Sequence, residues 1–156
     1  MLQTRMDFVR MNAMCLGKAS TISIRYSAVR EQGYDNNNPS SNDELKVLDY
    51  QTQQYRLFPI LAAAYAITFT GNQVDVLKRD LLVQIQQGNA SMLNVGHAMS
   101  CGLKVLASDI GNAGIETARR ACGGHGYLLS SGLPILLGDN VQTVTAEGEN
   151  YVLTLQ

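Results

Sequence analysis

The chain has almost no excess charge of either sign: 12 Lys and Arg stand against 13 Asp and Glu in 156 residues, a formal net charge of −1. Nucleic acids and anionic membrane surfaces attract proteins through clustered cations, so neither is an expected partner. Cysteine is scarce and odd in number. Cys15, Cys101 and Cys122 have no close metal-ligand spacing and each lies in or beside an apolar helical pattern, so they are expected to be buried and reduced, with no metal site. No basic amino-terminal region leads into an uninterrupted apolar run, so no signal peptide is expected. The longest apolar stretch, Ile60 to Phe69, falls well short of the ~20 residues of a membrane helix. Strand signal is weak as well: Val141, Thr143 and Thr145 alternate, but nothing nearby offers them a sheet. These absences leave a soluble intracellular chain without repeats.

What is present is apolar residues, 46% of the chain, at helical spacing. A chain of this length forms one domain and buries roughly 70% of its unfolded surface. From Leu2 to about Glu31 a stripe runs through Phe8, Met11, Cys15, Ala19, Ile22, Tyr26 and Val29, which the 3.6-residue period places on one helix face. Residues Gly33 to Asp43, rich in Asn, Ser and Pro, read as an exposed loop. A second helical region is expected from Asp43 or Glu44 to about Gln86, interrupted at Gly71-Asn72 and kinked at Pro59. A third runs from about Ala90 to Ala121 with Met92, Val95, Met99, Leu103, Leu106, Ile110 and Ala113 on one face, and Gly123-Gly124 stop it. A shorter helix is expected to begin between Asp139 and Glu147. Four apolar-faced helices predict an all-α, antiparallel four-helix bundle.

Two motifs stand out near the carboxyl end: Cys122-Gly123-Gly124-His125-Gly126-Tyr127, and Thr145-Ala146-Glu147-Gly148-Glu149-Asn150. Glycines let backbone approach a bulky ligand, and a lone carboxylate beside a glycine suits a general base. Spacing alone equally allows a solvated glutamate near a helix start and a glycine helix stop. Together with Arg25-Tyr26-Ser27-Ala28-Val29-Arg30, the segment Asp49 to Pro59 and Ser131-Gly132-Leu133-Pro134, these motifs resemble the acyl-CoA oxidase and acyl-CoA dehydrogenase superfamily, the oxidase branch most closely, in order over the whole chain.

That resemblance implies the carboxyl-terminal helical domain beside a flavin, in an enzyme that oxidises acyl-CoA to trans-2-enoyl-CoA and reduces oxygen to hydrogen peroxide in fatty acid β-oxidation. It implies that residues 1–156 lack the family's amino-terminal helical, middle β and second carboxyl-terminal domains. Glu147 is then the base that takes the α-proton, and Gly148 leaves room for substrate. Arg30, Gln32, Gln51, Gly123 and Gly124 would contact FAD, Arg30 usually that of the neighbouring subunit, and Arg5, 25 residues before Arg30, would bind substrate. Ala146 stands where the family has an aromatic residue, Gln32 where it has phenylalanine before the glycine, and Glu31 where the oxidases generally have arginine. His125 is read as a loop residue and His97 as a core histidine. A homodimer and a peroxisomal location are likewise implied, although Leu153-Thr154-Leu155-Gln156 is not a Ser-Lys-Leu signal. The rival reading is a non-catalytic helical interaction module, a truncated or diverged oxidase remnant.

Overall fold

The computed structural model describes residues 2–35 and 43–156. Three long helices, α1 (Leu2–Val29), α2 (Gln51–Gln86) and α3 (Leu93–Ala121), are followed by the shorter α4 (Leu133–Val141) and α5 (Asn150–Thr154). Cross-helix contacts fix their directions. Arg10 pairs with Asp75 and Lys78 with Asp7, so α1 and α2 are antiparallel. Gly96 packs against Leu81, which makes α2 and α3 antiparallel, and Gly111 and Gly114 face Asn12 and Leu16, which makes α1 and α3 parallel. Of the described residues 81% are helical, in agreement with the expected all-α bundle.

The loop expected from Gly33 begins differently. Glu31–Tyr34 forms β1 and pairs antiparallel with β2 (Glu44–Lys46), matching Glu31 to Lys46 in an ion pair. Gly33 has φ 84°, and a β-carbon there would run into the Tyr50 hydroxyl, which donates to the Gln32 carbonyl at 2.9 Å. The rest of the expected loop, residues 36–42, lies outside the described residues. Because β2 and a 3-10 turn occupy residues 44–49, α2 starts at Gln51 rather than at Asp43 or Glu44.

α2 then runs unbroken through Gly71. Its buried residues Gln53, Leu57, Ile60, Ala64, Ile67, Gly71 and Val74 alternate at spacings of four and three, and Leu81 follows seven residues on, a pattern that suits helix-on-helix packing. Gly71 is a packing position, not a break: a β-carbon there would sit 3.7 Å from the Arg10 backbone. Pro59 lies on an exposed turn, where the carbonyl it leaves unbonded can face water. By length and composition alone α2 is apolar enough to cross a membrane, but a third of its most apolar window is buried within the bundle.

The faces that pack are not those with the strongest apolar stripe. α1 buries Val9, Ala13, Leu16 and Ala19 together with Asn12, Ser20, Ser23 and Ser27, whereas Val29 is 72% exposed. α3 buries Gly96, Ser100, Lys104, Ala107, Ser108, Gly111, Ile115 and Ala118 and turns Val95, Met99 and Leu106 outward. Small side chains let α1 and α3 approach closely, and the buried serines satisfy themselves on their own helix, as Ser23 does on Ala19 O (2.9 Å) and Ser27 on Ser23 O (2.8 Å). Polar residues therefore line the seam without unpaired hydroxyls.

This seam predicts opposite outcomes for two glycines of α3. Gly111→Ala pushes a methyl into the Asn12 side chain and should destabilise the chain by about 1–3 kcal/mol. Gly102→Ala meets no atom within 4 Å, so its helix propensity should stabilise by roughly 0.5–1 kcal/mol. Urea unfolding followed by circular dichroism distinguishes them, and equal effects would contradict close packing at Gly111.

Candidate active site

After α4 the chain makes a 3-10 turn, Gln142–Val144, and bonds the amides of Thr145 and Ala146 to Gln142 O. The shorter helix expected from Asp139–Glu147 onward is thus two helices, α4 starting earlier at Leu133 and α5 at Asn150, with the Glu147 turn between them. Glu147 has φ 59°, the only positive value at a non-glycine among the described residues, and Gly148 follows at 112°. Such a conformation costs on the order of 1–3 kcal/mol and persists only where the surroundings impose it. A β-carbon at Gly148 would also come within 2.7 Å of Leu153 Cδ2 and 3.4 Å of Arg5 Nη2.

The surroundings do impose it. Upstream, Asn140 Nδ2 donates to Asn12 Oδ1 (2.8 Å) and Thr143 Oγ1 to Asn140 O (2.8 Å), both inside the core. Downstream, the Glu149 carboxylate caps α5 by accepting from the Val152 amide. Beneath the turn lie two buried cations. Arg5 Nε donates to Glu147 O at 2.8 Å, and its Nη1 contacts Cys101 Sγ at 3.0 Å. Lys104, wholly buried, donates from Nζ to Gly148 O and to Asn150 Oδ1, both at 2.7 Å. Burial pushes the Lys104 ammonium below its ordinary range, and Arg5 adds to this, while Asp109 and Glu149 oppose it.

At the opposite end of the bundle the last turns of α1 and α3 meet the first turn of α2. Buried Gln53 joins all three, donating to Ser27 Oγ (3.0 Å) and to Ala121 O (2.9 Å). Arg30, Gln32, Gln51, Gly123 and Gly124 are exposed around this junction. Gly123 adopts φ 57° and stops α3, and a β-carbon on Gly123 or Gly124 would meet nothing within 4 Å, so both leave open backbone surface. Gly126 is the crowded glycine of the motif, because a side chain there would strike the Arg119 carbonyl. His125 Nδ1 lies 3.0 Å from Tyr26 Oη and ties the glycine loop to α1. A groove of about 730 Å³ beside this loop is lined by Glu116, Arg119, Tyr127, Leu128, Leu129, Pro134 and Leu137, and Glu147 is not among them.

A family model for the acyl-CoA oxidase C-alpha1 domain matches residues 1–156. This chain belongs to the acyl-CoA oxidase family. It is 46% identical to mouse peroxisomal acyl-coenzyme A oxidase 1 and 44% identical to the Caenorhabditis elegans acyl-coenzyme A oxidase acox-1.2, each over 156 residues, all of this chain and 23% of the relative. Among solved structures, Caenorhabditis elegans acyl-CoA oxidase-2, bound with FAD, ascaroside-CoA and ATP, superposes with a TM-score of 0.94 at 43% identity, over 99% of this chain and 23% of that one. The chain therefore spans about a quarter of the length of the oxidases it matches.

The fold thus gathers Arg5, Glu147 and Gly148 at one end and Arg30, Gln32, Gln51, Gly123 and Gly124 at the other. Arg5 lies within α1 and is 6% exposed. His97, expected in the core, is exposed near the start of α3 with Nε2 3.8 Å from Cys101 Sγ; it shares the helical face of Cys101, Lys104 and Ser108 but lies one turn ahead of the Arg5–Cys101 contact at which α1 covers that face. Neither apolar periodicity nor the two motifs point to Lys104 or give Asn150 a role. A signal was present, since Lys104 shares a helical face with Ser100, Ala107, Ser108 and Gly111, small residues that leave a long side chain room to lie inside.

All three cysteines are free thiols; Cys101 and Cys122 are buried and Cys15 half-buried. Burial pushes the Cys122 thiol from 9.0 up to about 11. Between those values only the unfolded chain ionises, so this group's contribution to stability is complete below pH 9 and is lost as pH rises towards 11. Cys122→Ala should flatten the alkaline loss of stability, and native Cys122 should resist iodoacetamide at pH 8.5 until urea is added. Rapid native labelling mapped to Cys122 would contradict this.

Proposed function

We propose that this chain forms the part of an FAD-dependent acyl-CoA oxidase that carries its catalytic base, Glu147, and a portion of its flavin surface. The observation that carries the reading is the Glu147 turn: a carboxylate on a strained, doubly anchored backbone, in a chain that aligns end to end with oxidases. A base must be held at fixed distance from the proton it removes, and such rigidity serves no purpose in a solvated surface glutamate. Glu147 accepts the α-proton of the acyl thioester and becomes the carboxylic acid, and Gly148, expected to leave room for substrate, instead lets the turn close over Arg5 and over Leu153, which a β-carbon there would strike. Ala146 in place of an aromatic residue makes the acyl pocket wider beside the base.

Exposed Arg30 and the open backbone at Gly123 and Gly124 fit a dinucleotide's phosphates and adenosine, with Gln32 and Gln51 as further contacts. Bound FAD supplies the acceptor of the β-hydride and passes the electrons to oxygen, releasing hydrogen peroxide. Arg5 and Arg30 are 25 residues apart on or at the end of one helix, roughly 37 Å, farther than one FAD molecule reaches. The two ends of the chain therefore serve two different flavins, which supports a homodimer in which each copy completes its partner's site. Arg5 acts on the substrate through the turn it supports, because it is buried beneath that turn with Nε and Nη1 bonded to Glu147 O and Cys101 Sγ. The name of the mouse relative supports a peroxisomal setting.

The test is a chimera in which this chain replaces the matching segment of Caenorhabditis elegans acyl-CoA oxidase-2. Glu147→Gln in that chimera should bind FAD and acyl-CoA normally and lose turnover by about 10²–10⁴-fold. Near-normal enoyl-CoA formation would remove Glu147 from the reaction.

A second outcome is expected of the purified 156-residue chain with added FAD. It should release no peroxide from palmitoyl-CoA or shorter acyl-CoAs, because one end of a flavin site does not position the reacting atoms. Sustained peroxide release that disappears in Glu147→Gln would show that the chain is a complete enzyme.

A further inference from the structure

Lys104 is the largest wholly buried side chain among the described residues, yet neither of its hydrogen-bond partners is charged. An ammonium taken out of water costs several kcal/mol, and apolar residues of similar volume often replace buried charges with no loss of stability. Packing alone therefore favours a methionine or leucine at this point on α3. What the lysine adds is a directed grip on the turn that carries Glu147.

That grip has three parts. Lys104 Nζ holds Gly148 O from α3 while Arg5 Nε holds Glu147 O from α1, so two consecutive carbonyls are fixed from two helices. Asn150 holds Lys104 in turn. Both its amide hydrogens are spent on Ser108 Oγ (2.8 Å) and Asp109 Oδ1 (2.7 Å), which leaves Oδ1 facing the ammonium. Glu147 itself sits at φ 59°, a conformation that relaxes unless the peptide on either side is restrained.

We infer that Lys104 is a positioning residue for the reaction: through Gly148 O and Asn150 it fixes the peptide that aims the Glu147 carboxylate at the substrate α-carbon. This rests on Glu147 being the base, and it concerns alignment only, since Lys104 is buried beneath the turn.

The experiment uses the FAD-loaded chimera described above. Lys104→Met should keep FAD content and melting temperature, keep KM for acyl-CoA within about twofold, and lower kcat on the order of 10²-fold, the loss expected for ångström-scale misplacement of a catalytic group. A second readout isolates the proton step: exchange of the α-hydrogens of 3,3-dimethylbutanoyl-CoA with D₂O, a thioester whose β-carbon has no hydrogen to transfer. Exchange should fall in the same proportion as kcat in Lys104→Met and recover in part in Lys104→Arg, which restores a donor. Unchanged kcat and exchange in Lys104→Met overturn the inference, as does a loss that tracks lost FAD or lost folding. If Lys104→Met does not fold, Lys104→Gln is measured by the same criteria, and failure of both to fold would assign Lys104 a purely structural role and overturn the proposal. Glu147→Gln, run in parallel, separates the two claims. An active Glu147→Gln defeats the base assignment, whereas an inactive Glu147→Gln beside a normal Lys104→Met defeats only the positioning role.

Discussion

With Gly111 and Gly114 presenting no side chain, α3 lies close enough to α1 for Asn12 and Leu16 to fill the space between them. That approach fixes which way both helices face. It turns Asn12 inward, where its Oδ1 receives Asn140 Nδ2 and thereby anchors the chain after α4. It also places Arg5 and Lys104, on neighbouring helices, under the same short turn. A wider α1–α3 spacing, as larger seam residues would enforce, would part the two cations and release the Glu147 and Gly148 carbonyls together.

Charge is deployed inside this bundle in an unusual way. Arg5 and Lys104 are not in ion pairs but are solvated by backbone carbonyls, an asparagine amide and a cysteine sulfur. Burial, with the Arg5 charge adding to it, pushes the Lys104 ammonium below its ordinary range. In return the carbonyls are held in place by directed bonds. The surface ion pairs, Arg10 with Asp75 and Lys78 with Asp7, are exposed enough to add little beyond register between α1 and α2.

The outward faces of two of the long helices carry many apolar residues. Tyr55, Phe58, Tyr65, Phe69, Val76 and Val83 are all exposed on α2, and Val95, Met99 and Leu106 on α3. Isolated exposed apolar residues are ordinary, whereas rows of them along two long helices are not. This accords with a chain that spans 23% of the oxidases it matches. It also explains why apolar periodicity misplaced the core. The stripe through Val95, Met99 and Leu106 is a genuine helical face, but it is not the one that faces α1.

Helix content, the stop at Gly123 and the Glu147 motif were legible because each depends on local chemistry: apolar spacing, a left-handed glycine, and residue types in a short run. Family membership was legible for the same reason, through ordered short segments. The tertiary structure alone decided which helix faces pack, because side-chain size, not hydropathy, governs how closely two helices approach, and serine hydroxyls can satisfy themselves on their own helix. It alone showed Gly71 to be a packing residue, Glu31–Tyr34 to be a strand, and Arg5 to be buried. Lys104 and Asn150 were invisible as partners of Glu147 because α3 must lie beside α1 before a lysine 43 residues upstream can reach beneath that turn. The sequence by itself determined which groups are available for chemistry; only the folded bundle determined which buried donors hold them in place, because those bonds cross between segments distant in the chain.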